Sequence, residues 1–236
     1  GKQTLDIIRK EQLGEEEKLQ EIEAYIHHAQ RQIEQIQRRV IAGEKIPHEE
    51  KVFSLFEGHT EWICKGKAGV SQELGLRVCI LEDQYGFILH HQVMEHQVDN
   101  QVAVWMVQQT KGKFPDLTQC SFDKGFYTPN NRVKLSDLLD VVTMPKKGRL
   151  SEPDKRMEYA EEFVRARRQH SAVESAINAL ENHSLDRCPD HGIDGFKRYV
   201  ALAVLARNIQ TLGNIVQQKK LKRLRRIDKL KYLQAA

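Results

Sequence analysis

The stretch Leu117-Thr118-Gln119-Cys120-Ser121-Phe122-Asp123-Lys124-Gly125-Phe126 decides the fold class. Leu117 to Phe122 reads as a short buried strand, and Asp123-Lys124-Gly125 ends it. An acid set right after a buried strand and before a glycine points its carboxylate at the rim of a sheet rather than into the core. In open α/β sheets, ligand sites gather at those carboxyl ends of strands. Asp123 is therefore the first candidate site residue. A turn aspartate before glycine is also ordinary loop chemistry, so the flanking sequence has to decide.

Upstream, Lys51–Glu57 alternates and reads as a strand, Leu74–Leu81 as another and Phe87–Val93 as a third. Glu82-Asp83-Gln84-Tyr85-Gly86 is turn-rich, so the last two strands are expected to form a hairpin. Gln97–Gln109 reads as a helix, closed by Lys113-Phe114-Pro115. Downstream, a short helix is expected near Asn130–Leu139 and one more strand at Asp140–Met144. Two long helices follow, Lys155–Glu181 and Asp194–Gln217, the second after the Pro189/Gly192/Gly195 loop. Strands, then helix, strand, helix, strand and long helices make an α/β pattern, with the five strands expected in one mixed sheet.

The N-terminal segment differs. Leu19, Ile22, Ile26, Ala29, Ile33, Ile36 and Val40 alternate spacings of three and four, a heptad seam wrapped in Glu, Gln and Arg. Gly43 and Pro47 stop it. Such a seam packs and makes no chemistry by itself; its partner would be another part of this chain, a part upstream of it, or a second copy.

The chain has 236 residues, 40% hydrophobic and 30% charged, enough for a sizeable core in one domain with appendages. Its net charge is only +4, but Lys219 to Lys231 holds eight basic residues against one acid, a net of +7. That block is a candidate phosphate-contacting tail or a solvated helix end. Cys64, Cys79, Cys120 and Cys188 form no CxxC pair, and Cys188 with His191 lacks a second ligand pair, so no zinc site is expected. No signal-like or membrane-spanning stretch stands out, and reduced thiols in a cytoplasm fit best.

Glu174 is the second candidate acid. On the long helix, His170 is one turn before it and Arg167 about two turns before it, so the three share a face. A carboxylate flanked by His and Arg there can hold a cation while the basic groups face phosphates.

Three blocks together resemble the ISNCY-type insertion-sequence transposases, a prokaryotic group with the DDE catalytic triad. Pro47-His48-Glu49-Glu50-Lys51-Val52-Phe53-Ser54-Leu55-Phe56-Glu57, continued through Thr60-Glu61-Trp62 and Lys65-Gly66-Lys67-Ala68, is similar to the group's signature block. Asp123-Lys124-Gly125-Phe126 resembles the second-aspartate motif. His170-Ser171-Ala172-Val173-Glu174-Ser175-Ala176-Ile177-Asn178-Ala179-Leu180, with Leu185–Gly192 and Arg198–Asn208, resembles the glutamate block. The resemblance covers about Glu15 to Gly213.

It implies a ribonuclease-H-like fold and a three-carboxylate site for two Mg2+ (or Mn2+) ions, with Asp123 and Glu174 as catalytic metal ligands. It also implies DNA transposition: phosphodiester cleavage, then strand transfer at insertion-sequence ends into target DNA. Partners would be double-stranded DNA, with Lys65, Lys67, Arg167, His170, Arg187, Lys197 and Arg198 as backbone contacts, and a second copy through the heptad helix. Location would be cytoplasmic, at the nucleoid when DNA-bound, with no membrane partner.

The first aspartate of such a triad sits on the first strand, and no strand-borne aspartate precedes Lys51. Asp6 lies in a helix-like stretch and Asp83 in the hairpin turn. Glu57 and Glu61 sit beside the signature block but do not match the first-aspartate position. The expected organisation is a helical arm over 1–46, a truncated ribonuclease-H-like domain lacking its first strand over 47–217, and a basic tail over 218–236. Such a chain is an incomplete, inactive fragment, or else a non-catalytic DNA-binding or oligomerisation remnant that modulates a full-length transposase.

Overall fold

The computed structural model describes residues 2–10, 16–47, 50–64, 72–181 and 187–235, and the side chains of all of these except 169–175 and 228–235. It is a mixed α/β structure in two compact units, Gly1–Leu76 and Arg77–Ala236. No helix among the described residues is long and apolar enough to cross a membrane.

In the first unit, α1 (Lys2–Lys10) packs on α2 (Glu16–Ile36). Leu5 and Leu19 are buried, and Arg9 pairs with Glu23 at 2.7 Å. The helix loosens into a π turn at Gln37–Ile41, and Gly43 follows at φ 66°, a left-handed conformation suited to glycine. Arg38 closes this end by pairing with Glu44 at 2.6 Å and Glu50 at 2.7 Å. Most of the heptad seam stays open, with Ile22, Ile33, Ile36 and Val40 exposed.

The segment 51–57, expected as a strand, is not one. The Val52 N–H donates to Gln35 Oε1 at 2.9 Å, and the Val52 carbonyl accepts from Gln35 Nε2 at 3.3 Å. One side-chain amide on α2 thus does for Val52 what a neighbouring strand would do. The segment's two aromatics each stand near another ring: Phe53 lies 5.6 Å from Trp62, and the exposed Phe56 lies 5.9 Å from Tyr25. The strands of this unit are β1 (Glu61–Cys64) and β2 (Gln72–Gly75), an antiparallel pair.

The second unit opens on the expected hairpin. β3 (Arg77–Glu82) and β4 (Ile88–Met94) pair antiparallel, and Asp83 Oδ1 accepts from the Tyr85 and Phe87 N–H groups to fix the turn, with Gly86 at φ 85°. Leu74–Leu81 is accordingly two strands, β2 and β3, divided at Leu76. After α3 (Asp99–Lys113) come β5 (Gln119–Ser121), α4 (Pro129–Leu138) and β6 (Val141–Thr143). β5 and β6 are parallel, so β5-α4-β6 is a βαβ unit.

Among the described residues the single mixed sheet does not form: their six strands make three separate two-stranded sheets. β3–β4 and β5–β6 nonetheless share one core. Cys79, Leu81 and Met94 from the first pair, and Phe122 and Met144, the residues next after β5 and β6, close on Val102, Ala103, Met106 and Val107 of α3 and on Leu135 of α4. Burial pushes the Cys79 and Cys120 thiols up to about 12. Cys79 lies within this core and Cys120 packs against it.

The long helix expected at 155–181 is two. α5 (Glu152–Glu158) starts at a Ser151/Asp154 capping box, and α6 (Glu161–Leu180) follows an extended Ala160. The break turns Glu158 inward, where it is 4% exposed and accepts from the Lys146 N–H at 2.7 Å. α6 packs along β5 and β6, and its far end, Leu180, meets Ile88, Ala203 and Val204. α7 (Gly192–Ala235) is one 44-residue helix that carries the basic tail as regular structure. Asn208 fastens it to β4 by donating to the Ile88 carbonyl at 3.0 Å and accepting from its N–H at 2.8 Å.

Candidate functional site

Asp123 stands at the carboxyl end of β5, exposed, with Phe122 buried behind it. Its Oδ1 accepts from the Lys124 N–H at 2.7 Å and caps the 3-10 turn Lys124–Phe126. The turn is held from below. Buried Asn131 donates through Nδ2 to the Phe126 carbonyl at 3.0 Å and to the Asn100 carbonyl at 2.6 Å. This ties the turn to the starts of both α3 and α4. Gly125 lies flat on α3, where an added Cβ would come within 2.5 Å of Asp99 Oδ2. An added methyl group there would push the Asp99 carboxylate, the movable end of that side chain, out of its place.

These supporting residues were missed from the sequence. Asn131 shares a motif with no acid, and Asp99 is a helix-start aspartate of a kind found on many helices. The one available signal was Gly125 itself, directly after an acid at a strand end.

Glu174 and His170 lie on α6, the helix that runs beside β5 and β6, but their side chains are outside the described residues. Arg167, on the same helix, is exposed. Among the described residues no group of three His, Cys, Asp or Glu side chains stands close enough to hold a metal ion. Asp123 offers hard oxygen donors of the kind magnesium takes, but the described residues do not by themselves make a two-ion site. Glu57 and Glu61 belong to the first unit.

The predicted DNA contacts divide. Lys65 and Lys67 lie outside the described residues. Arg187 is exposed. Lys197 pairs with Glu95 at 2.6 Å, and Arg198 with Asp190 at 2.9 Å. The Arg198 guanidinium, then the His191 N–H, hold the Asp190 carboxyl below the usual range. Asp190 also packs on Gly195, so Arg198 helps to fasten the start of α7. The freest basic surface is farther along: Lys219, Lys220, Lys222, Arg223, Arg225 and Arg226 are all exposed on α7. Lys219, Lys222, Arg223 and Arg226 follow i, i+3, i+4, i+7 spacing and form one stripe.

A separate open cleft of about 410 Å3 is lined by His91, Gln92, Val93, Glu95, Gln97 and Lys197. Burial first, then the charge of Lys113, lowers His91 below its ordinary value. Gln92 Nε2 donates to Gln97 Oε1 at 2.9 Å and Lys197 is paired with Glu95, while Gln92 Oε1 is buried with no hydrogen-bond partner among the described residues. No protein-family model, no curated protein and no solved structure matches the chain.

Proposed function

We propose that this chain carries part of the catalytic region of an ISNCY-type DDE transposase, built on a ribonuclease-H-like core. The observation that carries the reading is Asp123: an exposed carboxylate at the end of the first strand of a parallel βαβ unit, with the Glu174 helix packed along those strands. The sheet pattern also supports it. Among the described residues β3 and β5 each have one strand neighbour and share a core, which leaves an edge of each for a further strand in this reading.

Transposition needs water to attack a phosphodiester, with the 3′ oxygen as leaving group, and then that 3′-hydroxyl to attack a second phosphodiester. The phosphate is anionic, and two divalent ions supply the activation of the nucleophile and the stabilisation of the leaving oxygen. Such ions take carboxylate oxygens. Asp123 and Glu174 are the two acids that the resemblance assigns, and in this reading a third comes from a strand paired with β3 and β5. Cleavage by this chain alone is therefore not expected.

A second reading rests on the exposed basic stripe of α7: a DNA-binding remnant that modulates a full-length transposase. One experiment separates the two. The chain is incubated with supercoiled plasmid and Mg2+ or Mn2+, alone and with an extended segment bearing one aspartate fused ahead of it. The transposase reading expects nicking only with the fused segment, lost in Asp123→Ala and Glu174→Ala. Nicking by the unmodified chain, lost in both variants, would make the site complete as it stands. Binding without nicking in every form leaves the remnant reading.

A further inference from the structure

α7 is apolar on two opposite faces, and the described residues of its own unit, Arg77–Ala236, pack against only one. Val200, Ala203, Val204 and Thr211 are buried against the rest of the unit. On the other side Leu202, Leu205, Ile209, Leu212 and Val216 are 62%, 55%, 61%, 53% and 57% exposed. Their spacings are three, four, three, four, a strict heptad seam rather than scattered surface residues. Ala201, Ala206 and Gly213, also exposed, flank it and let a second backbone approach closely. From Tyr199 to Gln218 the only charged residue is Arg207, which is half-buried. A contiguous uncharged apolar stripe of this kind marks a protein interface. It is the wrong chemistry for a phosphate backbone, which the basic residues farther along would meet instead.

We infer that this face pairs antiparallel with the same face of a second copy, about a two-fold axis between Gln210 and Thr211. Charge decides the direction. Helices packed at 8–10 Å would, if parallel, set the +7 blocks of Lys219–Lys231 side by side, about one Debye length apart. Antiparallel pairing places each block along Asp190–Leu202 of the other copy, where two acids and two bases cancel. The seam is self-complementary in that register. Ile209 meets Leu212 of the other copy, Leu205 meets Val216, and Leu202 meets the methylene stem of Lys219. The two basic helix ends then project in opposite directions, their centres roughly 40 Å apart at 1.5 Å rise per residue.

Sedimentation of the full chain across concentrations tests this without DNA or metal, so its outcome is independent of the catalytic reading. The wild type should be a concentration-dependent dimer. Ile209→Glu and Leu212→Lys, both at exposed positions, should each weaken it at least tenfold, with helical circular dichroism retained and with the concentration dependence of melting reduced. Carrying both changes in one chain sets Glu opposite Lys across the two-fold, and dimerisation should return. Leu205→Ala is a milder probe that introduces no charge and should weaken dimerisation without abolishing it. A wild type that stays monomeric at 100-fold dilution steps up to the solubility limit overturns the inference. So does dimerisation that all variants leave intact, which would put the contact elsewhere, as on α2. Failure of the double variant to recover overturns the antiparallel register.

Discussion

The Asp123 carboxylate caps its turn through Oδ1, and in the proposed reading it also binds a metal ion. One pair of substitutions separates these roles. Asp123→Asn keeps an acceptor for the Lys124 N–H and removes the charge; Asp123→Ala removes both. Thermal melts should show Asn close to wild type and Ala about 1 kcal/mol less stable, the usual loss at a cap. Titration calorimetry with Mn2+ should show both variants equally impaired. If Asn also destabilises, the charge rather than the hydrogen bond holds the turn. A second residue-scale expectation concerns His90 and His91, which burial holds below their ordinary 6.5, helped by the charge of Lys113. Their folded values lie below the unfolded ones, so the unfolded chain takes protons first. Stability is full above pH 6.5 and falls as pH drops through it. Glu82, raised by burial, titrates with the opposite sign. The discriminating measurement is therefore the urea midpoint of wild type against His90→Gln and His91→Gln at pH 7.5 and 6, where the variants should lose less.

At the scale of elements, the sequence was most legible where a local turn fixes the geometry. The Asp83–Phe87 turn carries its own acceptor and its own glycine, and β3–β4 follows as read. β5, α4 and β6 also stand where strand and helix periods put them. Lys51–Glu57 misled because alternation reports that every second side chain is covered, not what covers it. Here Val52 is buried, Phe56 is left exposed, and Gln35 on α2 takes the backbone bonds of Val52. The break at Ala160 was hidden because no Pro or Gly marks it; a buried Glu158 bonded to Lys146 does. Gln35→Ala should leave the Val52 N–H and carbonyl without that partner. A loss of about 1–2 kcal/mol is expected, with faster amide exchange at Val52, and Gln35→Glu should recover only the bond to the Val52 N–H. Unchanged exchange at Val52 would mean that the amide bridge contributes nothing. Asn131→Leu should loosen the Asp123 turn by a similar amount, since two carbonyls lose their donor.

For the molecule as a whole, the α/β class was readable because it depends only on the order of elements. The division of the strands among sheets was not, because pairing of distant edges leaves no local mark. Charge shows the same contrast between total and placement. The net +4 hides a +7 block at one end of α7, leaving −3 for everything else. DNA affinity should therefore sit on that helix end and not be spread over the surface. Each phosphate neutralised releases counterions, so log affinity should fall with log salt at a slope near −0.9 per contact. Replacing Lys219, Lys222, Arg223 and Arg226 by Gln removes one stripe of four and should flatten the slope by about 3 to 4, with helix content retained. Wild-type binding should be the same with or without chelator, and equally competed by unrelated duplexes, because phosphate contacts position a protein without reading sequence. If the four-fold variant keeps the wild-type slope, the phosphate contacts lie elsewhere, with Arg167 and Arg187 the next exposed arginines to replace.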